Sequence, residues 1–175
     1  MNKWNLLLLP ALLIFTGCGE SPETAIASAY AEVAAASGSS VRGKVTLSEE
    51  GSQVKVTGRV AGLTPGEHGF HVHETGDCSA TDGSSAGGHF NPDGASHGAP
   101  TADHDLRHTG DLGNITANAE GVAIIDLVAD KLTVSPGPHS VVGRAVIVHA
   151  NADDLQSQPS GAAGTRIGCG VIQRN

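Results

Sequence analysis

Hydrophobic and polar positions alternate with a period of two over several short stretches of this chain. Val41, Gly43, Val45 and Leu47 alternate with polar residues, as do Val54, Val56, Gly58 and Val60, and Glu50-Gly51-Ser52 lies between the two runs. Successive strand side chains point to opposite faces, so the pattern predicts a hairpin with one buried face. Thr64-Pro65-Gly66 marks a turn ahead of a strand at 69–73, and further strands are predicted at 114–117, 122–127, 144–149 and 167–172. Residues 29–36 are rich in alanine, which favours helix by propensity, yet Tyr30 and Val33 give no amphipathic helical face. A strand is predicted there too. Eight short strands with Gly and Pro turns and no helical stretch predict an all-β domain, an antiparallel Greek-key sandwich or barrel.

Two segments break the alternation. From residue 74 to about 111 the chain is Gly, Ser, Asp, Asn and His, and a second irregular loop spans 150–165. A loop as long as the first is disordered or functional in a compact domain, and its histidines favour function. At 175 residues without internal repeats, the chain fits one domain plus short appendages. Twenty-four glycines against three Phe, one Trp and one Tyr imply many turns around a core of Val, Ile, Leu and Ala. The formal charge of -8, with only ten Lys and Arg, argues against nucleic acid or an anionic membrane surface as a partner. Nine histidines point toward metal.

The first segment reads as an address. Lys3 supplies a positive start, residues 6–15 an apolar run too short to span a bilayer, and Thr16-Gly17 the small residues of a cleavage point. Phe15-Thr16-Gly17-Cys18 resembles a bacterial lipoprotein box, with plain secretion as the alternative. The resemblance implies a signal peptide at 1–17, a lipidated Cys18 opening a tether at 18–28, and a domain at 29–175. It implies an exported protein, periplasmic or on the cell surface, held to a membrane by its lipid. Without residues 1–17, nine Lys and Arg face eighteen Asp and Glu, a formal charge of -9. Setting Cys18 aside leaves Cys78 and Cys169, which in an exported chain read as one intramolecular bridge rather than two free thiols. Closing so long a loop stabilises by roughly 4 to 5 kcal/mol in the chain-entropy model.

The chemistry gathers around Gly69-Phe70-His71-Val72-His73. Residues two apart in a strand share a face about 7 Å apart, so His71 and His73 can aim two imidazoles at one metal ion. Unpartnered polar rings facing a sandwich interior would cost several kcal/mol. His-x-His alone is equally the pattern of two half-exposed strand histidines. The downstream series His89, His97, His108, Asp111 and His149 adds the missing ligands. Six imidazoles and one carboxylate fill two four-coordinate sites only if one histidine serves both.

Five blocks resemble, in order, the copper, zinc superoxide dismutase family: Gly69-Phe70-His71-Val72-His73; Gly88-His89-Phe90-Asn91-Pro92; Arg107-His108-Thr109-Gly110-Asp111-Leu112-Gly113-Asn114; Val148-His149 with Ala152-Asp153-Asp154-Leu155; and Gly164-Thr165-Arg166-Ile167-Gly168-Cys169-Gly170-Val171-Ile172. The resemblance implies a copper ion on His71, His73, His89 and His149, and a zinc ion on His89, His97, His108 and Asp111, with His89 as a bridging imidazolate. All-imidazole ligation suits a copper that changes oxidation state, and a closed set of three imidazoles and a carboxylate suits structural zinc. Asp153 would hydrogen-bond His71 and His97 together, Arg166 would hold the superoxide anion, and Cys78 would bridge to Cys169. The implied reaction is dismutation of superoxide to dioxygen and hydrogen peroxide, protecting the cell envelope, with Arg166 and His89 as catalytic residues and no organic cofactor.

His68, His104 and His139 match no ligand position and read as structural or surface residues, and Asp154 as solvated. Residues 79–88 make the interval from Cys78 to His89 longer than in eukaryotic members, which resembles bacterial ones and implies that any homodimer uses a non-eukaryotic interface. Residues 156–163 make a shorter second loop without charge. The competing function is a non-enzymatic copper-buffering or copper-delivery module on the same scaffold. Arg166 and the complete zinc set argue against it, since binding alone needs neither.

Overall fold

The computed structural model describes Met1 and residues 27–175, in which eight strands form: β1 (Ser28–Ala35), β2 (Arg42–Glu50), β3 (Gln53–Ala61), β4 (Gly66–His73), β5 (Asp111–Ala117), β6 (Val122–Ala129), β7 (Ala145–His149) and β8 (Arg166–Arg174). The signal segment beyond Met1, Cys18 and the tether as far as residue 26 lie outside the described residues. All strand pairs are antiparallel, in the order β1-β2-β3-β6-β5-β4-β7-β8, and β8 pairs back onto β1. The expected sandwich or barrel is thus a closed barrel, in which each of the eight strands has a neighbour on both sides, although β5 and β6 meet only at Ala117 and Ala123.

Local sequence explains most of this. Glu50 pairs with Gln53, so Gly51-Ser52 is a two-residue turn, and Gly51 takes the positive φ of 64° that such turns require. β1 alternates Ala29, Ala31 and Val33 inward, and pairs with β2 on one side and β8 on the other. That two-sided pairing overrides the helix propensity of its alanines. β4 begins at Gly66 rather than 69, because Gly66 to Gly69 pair with β5. β5 begins at Asp111 rather than 114, which places that carboxylate on a strand end instead of in the loop.

The interior is mostly aliphatic, drawn from every strand, with Phe70 and Val72 of β4 and Val146 and Val148 of β7 among its members. Because Phe70 and Val72 point inward, His71 and His73 stand on the outer face of the barrel wall, not in its interior. His149 joins them from β7, whose Ala145 and Ile147 pair with His73 and His71. This outer face is buried because loops cover it. Ala86 of the first loop packs on Ala145, Ile147 and Cys169, and the Cys78–Cys169 disulfide, with 5.8 Å between Cα atoms, pins that loop to β8.

Candidate metal centre

The barrel wall and its two covering loops bring seven ligand-type residues together in two overlapping groups. His71, His73, His89 and His149 form one, and His89, His97, His108 and Asp111 the other. All seven are buried. β4 and β7 supply three rings of the first group; the loop between β4 and β5 supplies His89, His97 and His108, and Asp111 opens β5.

In the first group each ring is anchored through one nitrogen and leaves the other without a partner. His71 Nε2 donates to Asp153 Oδ2 at 2.7 Å, His73 Nδ1 to the Gly87 carbonyl at 2.9 Å, and His149 Nδ1 to the Gly164 carbonyl at 3.1 Å. The remaining atoms, His71 Nδ1, His73 Nε2, His89 Nε2 and His149 Nε2, are buried and make no hydrogen bond. A buried polar atom without a partner costs about 1–3 kcal/mol, so four of them converging in one place need a common ligand. Four imidazole nitrogens fit a copper ion.

The second group converges on Asp111. Its Oδ1 lies 2.8 Å from His89 Nδ1, 3.0 Å from His97 Nδ1 and 3.2 Å from His108 Nδ1, and His108 Nδ1 lies 3.4 Å from His89 Nδ1. Ligands at the usual zinc distances in a tetrahedron are separated by about 3.3–3.4 Å, so the set is compact enough for zinc and slightly contracted. Asp111 Oδ2 is occupied on its far side by the backbone N–H of Gly98 and of His108. His89 gives Nδ1 to this group and Nε2 to the other, the arrangement of a bridge.

Asp153 joins the two groups. Its Oδ2 accepts from His71 Nε2, and its Oδ1 accepts from His97 Nε2 at 2.9 Å and from the N–H of Leu155 at 2.7 Å. Asn114 fixes its backbone, with Nδ2 donating to the Asp153 carbonyl at 2.9 Å and Oδ1 accepting its N–H at 2.7 Å. Such partners set the tautomer and ring direction of metal ligands. Burial, reinforced by neighbouring charges, pushes His73 down to about 2 and His149 to about 3, and burial takes His89 to about 4. Burial also opposes a proton on His97, but Asp111 and Asp153 outweigh it and raise that ring to about 9. Burial works against ionisation of Asp111 and Asp153 as well, and the surrounding histidines reverse it, holding both well below the usual carboxylate range.

A cavity of about 490 Å³ opens above the first group and is lined by His73, His89 and His149 together with Glu74, Ser160 and Arg166. Arg166, half-buried at the start of β8, donates through Nη1 to the Gly83 carbonyl and through Nη2 to the Gly87 carbonyl, both at 2.7 Å. Two of its five N–H donors are thereby used to fix its plane, and the others remain for an anion in the cavity. Both acceptors belong to the loop pinned by the disulfide, so the bridge and the guanidinium are mechanically linked.

His68 is buried, and its ring contacts the carbonyls of His149 and Thr64, both at 2.8 Å, which makes it structural. His104 and His139 are surface residues paired with Asp130 and Asp93. Asp154 is exposed, and its carboxylate caps the turn at Ser157. Sequence reasoning missed Gln158, whose amide contacts the backbone of His97, and Lys131, whose buried ammonium holds the loop that carries His97 and His108.

Comparison with known proteins agrees with this geometry. Residues 41–172 match the family model described as copper/zinc superoxide dismutase. The solved structure of the clock protein EA4 is similar at 41% identity, over 88% of this chain and 98% of its own, with a TM-score of 0.75. With the match running from the first hairpin to the last strand, over most of the chain, the protein belongs to the copper/zinc superoxide dismutase family.

Proposed function

We propose that this protein dismutates superoxide, with copper held by His71, His73, His89 and His149 and zinc by His89, His97, His108 and Asp111. Family membership alone does not carry the activity, since the similar solved structure is that of a clock protein. The observation that carries it is the placement of Arg166 in one cavity with His73, His89 and His149, three of the four rings whose unpartnered nitrogens converge, an anion holder beside a redox-type ligand set.

A bound copper ion supplies the one-electron redox chemistry that no side chain here provides. The residues supply the rest. The planar guanidinium of Arg166, fixed by Gly83 and Gly87, holds and orients a small oxygen anion. The reaction converts two superoxide anions and two protons into dioxygen and hydrogen peroxide. His89 Nε2, which has no partner within the protein, would carry one proton whenever it is not bonded to the copper ion, and solvent in the open cavity would supply the other. The disulfide suits an oxidising compartment, in keeping with export and attachment through Cys18.

Superoxide consumption by the protein loaded with both metals, beside a copper-free sample, tests this. Fast consumption that disappears without copper is expected. Tight copper binding with no turnover would instead favour a copper-buffering or copper-delivery module.

A further inference from the structure

The second loop, 150–165, carries no charge between residues 156 and 163, yet it makes a specific contact across the molecule. Gln158 pairs with the backbone of His97 on both sides: its Oε1 accepts the His97 N–H at 2.9 Å, and its Nε2 donates to the His97 carbonyl at 2.8 Å. Asn114 holds Asp153 by the same two-bond amide contact. The ring of His97 is therefore directed by Asp153 and its backbone by Gln158.

Three residues further on, the loop lies flat against that contact. Gly161 adopts a φ of 65°, and a Cβ there would collide with Asp153 Oδ1 and lie 2.7 Å from His97 Nε2. Only glycine lets the backbone cover the Asp153–His97 hydrogen bond this closely. Between these two points, Pro159 and Ser160 form part of the cavity wall. The wall segment is thus held at both ends against one ligand of the zinc set.

We propose that Gln158 is a positioning residue for the zinc set, fixing His97 and coupling occupancy of that set to the order of the cavity wall at 159–160. The proposal rests on His97 being a zinc ligand, and it assigns to an uncharged loop the task of joining the two halves of the centre. Removing the amide leaves His97 with its ring partner but without its backbone anchor, so zinc affinity falls while the copper ligands are untouched.

The test compares the parent with Gln158→Leu, Gln158→Glu and, as a control in the same loop, Gln156→Leu. Zinc affinity is measured on copper-free protein by competition with a chromophoric chelator, copper affinity separately, and amide hydrogen exchange of residues 156–164 with and without zinc. Gln158→Leu is expected to weaken zinc by about 10–100-fold, the usual cost of losing a partner behind a metal ligand. Copper affinity should be unchanged, and the slowing of exchange that zinc causes in the parent should be lost. Gln158→Glu keeps the acceptor but not the donor and should fall between; Gln156→Leu should match the parent. Equal zinc affinity in the parent and Gln158→Leu would overturn the proposal, as would a parallel loss of zinc and copper with a lowered melting temperature of the metal-free protein. A parent that binds no zinc in this set would refute the ligand assignment itself, a distinct failure.

Discussion

Arg166 combines two requirements that pull apart: its charge must face the cavity, and its plane must not move. The carbonyls of Gly83 and Gly87 meet the second without neutralising the first, because carbonyls accept hydrogen bonds but carry no net charge. Arg166→Ala is expected to lower superoxide turnover by about 10²–10³-fold, the scale for losing one anion-stabilising donor, with metal content unchanged. Arg166→Lys should recover only part, since an ammonium cannot span both carbonyls as a planar fork does. Asp153 presents the opposite case, a carboxylate that is needed as an acceptor on both oxygens. In Asp153→Asn one oxygen becomes an NH2 group facing a ring N–H, and affinity for a metal in both sets should fall by about 10–100-fold; a loss confined to one set would contradict its joining role. These residues are legible in the sequence because they lie within the family blocks. Gln158 is not, because an amide that pairs with a backbone 61 positions away leaves no local pattern.

The loop carrying His97 and His108 is an element without regular structure apart from two single-turn 3-10 segments, Ser84–Ala86 and His104–Leu106. It is held by side chains instead. Lys131, buried, donates through Nζ to the carbonyls of His104 and Arg107 and pairs with Asp93 at 3.0 Å. Lys131→Met should destabilise the fold by about 1.5–3 kcal/mol in chemical denaturation, the range for hydrogen bonds to a charged group, and no change would show the loop to be held elsewhere. Hydrogen bonds from His139 and Lys131 hold Asp93 down to about 2. A carboxyl lowered on folding stabilises fully above its unfolded value, and that stabilisation disappears as pH falls through the folded one. The gap in melting temperature between the parent and Asp93→Asn should therefore be widest above pH ~4 and close toward pH ~2. A gap independent of pH would contradict the pairing. Elements were legible where alternation is strong, as in β2 and β3. β1 was legible only as a conflict between alanine propensity and pattern, which pairing on both sides decides. The face taken by His71 and His73 was not legible, since period two says which residues share a face but not which face meets the core.

At the scale of the molecule, a chain of formal charge -8 presents a cavity whose wall carries Arg166 as its cation and Glu74 as its carboxylate. Long-range attraction of an anion is therefore weak, and the second loop contributes only Pro159, Ser160 and Gly164 to the lining. The rate of superoxide consumption should depend weakly on ionic strength, and a steep fall on adding salt would show that charges elsewhere steer the substrate. The closed barrel was legible only as far as sandwich or barrel, because closure depends on β8 reaching β1 across the whole chain. What unifies the molecule is His89, shared between two groups that the barrel wall and the loops assemble separately. The most direct measurement of that sharing is the Cu(II) paramagnetic resonance signal of protein whose zinc set is loaded with Co(II). One imidazolate bonded to both ions couples their spins, so the copper signal should be strongly broadened or lost when Co(II) is present and full when zinc replaces it. A copper signal of the same intensity with either ion would contradict the shared histidine and the joined centre built on it.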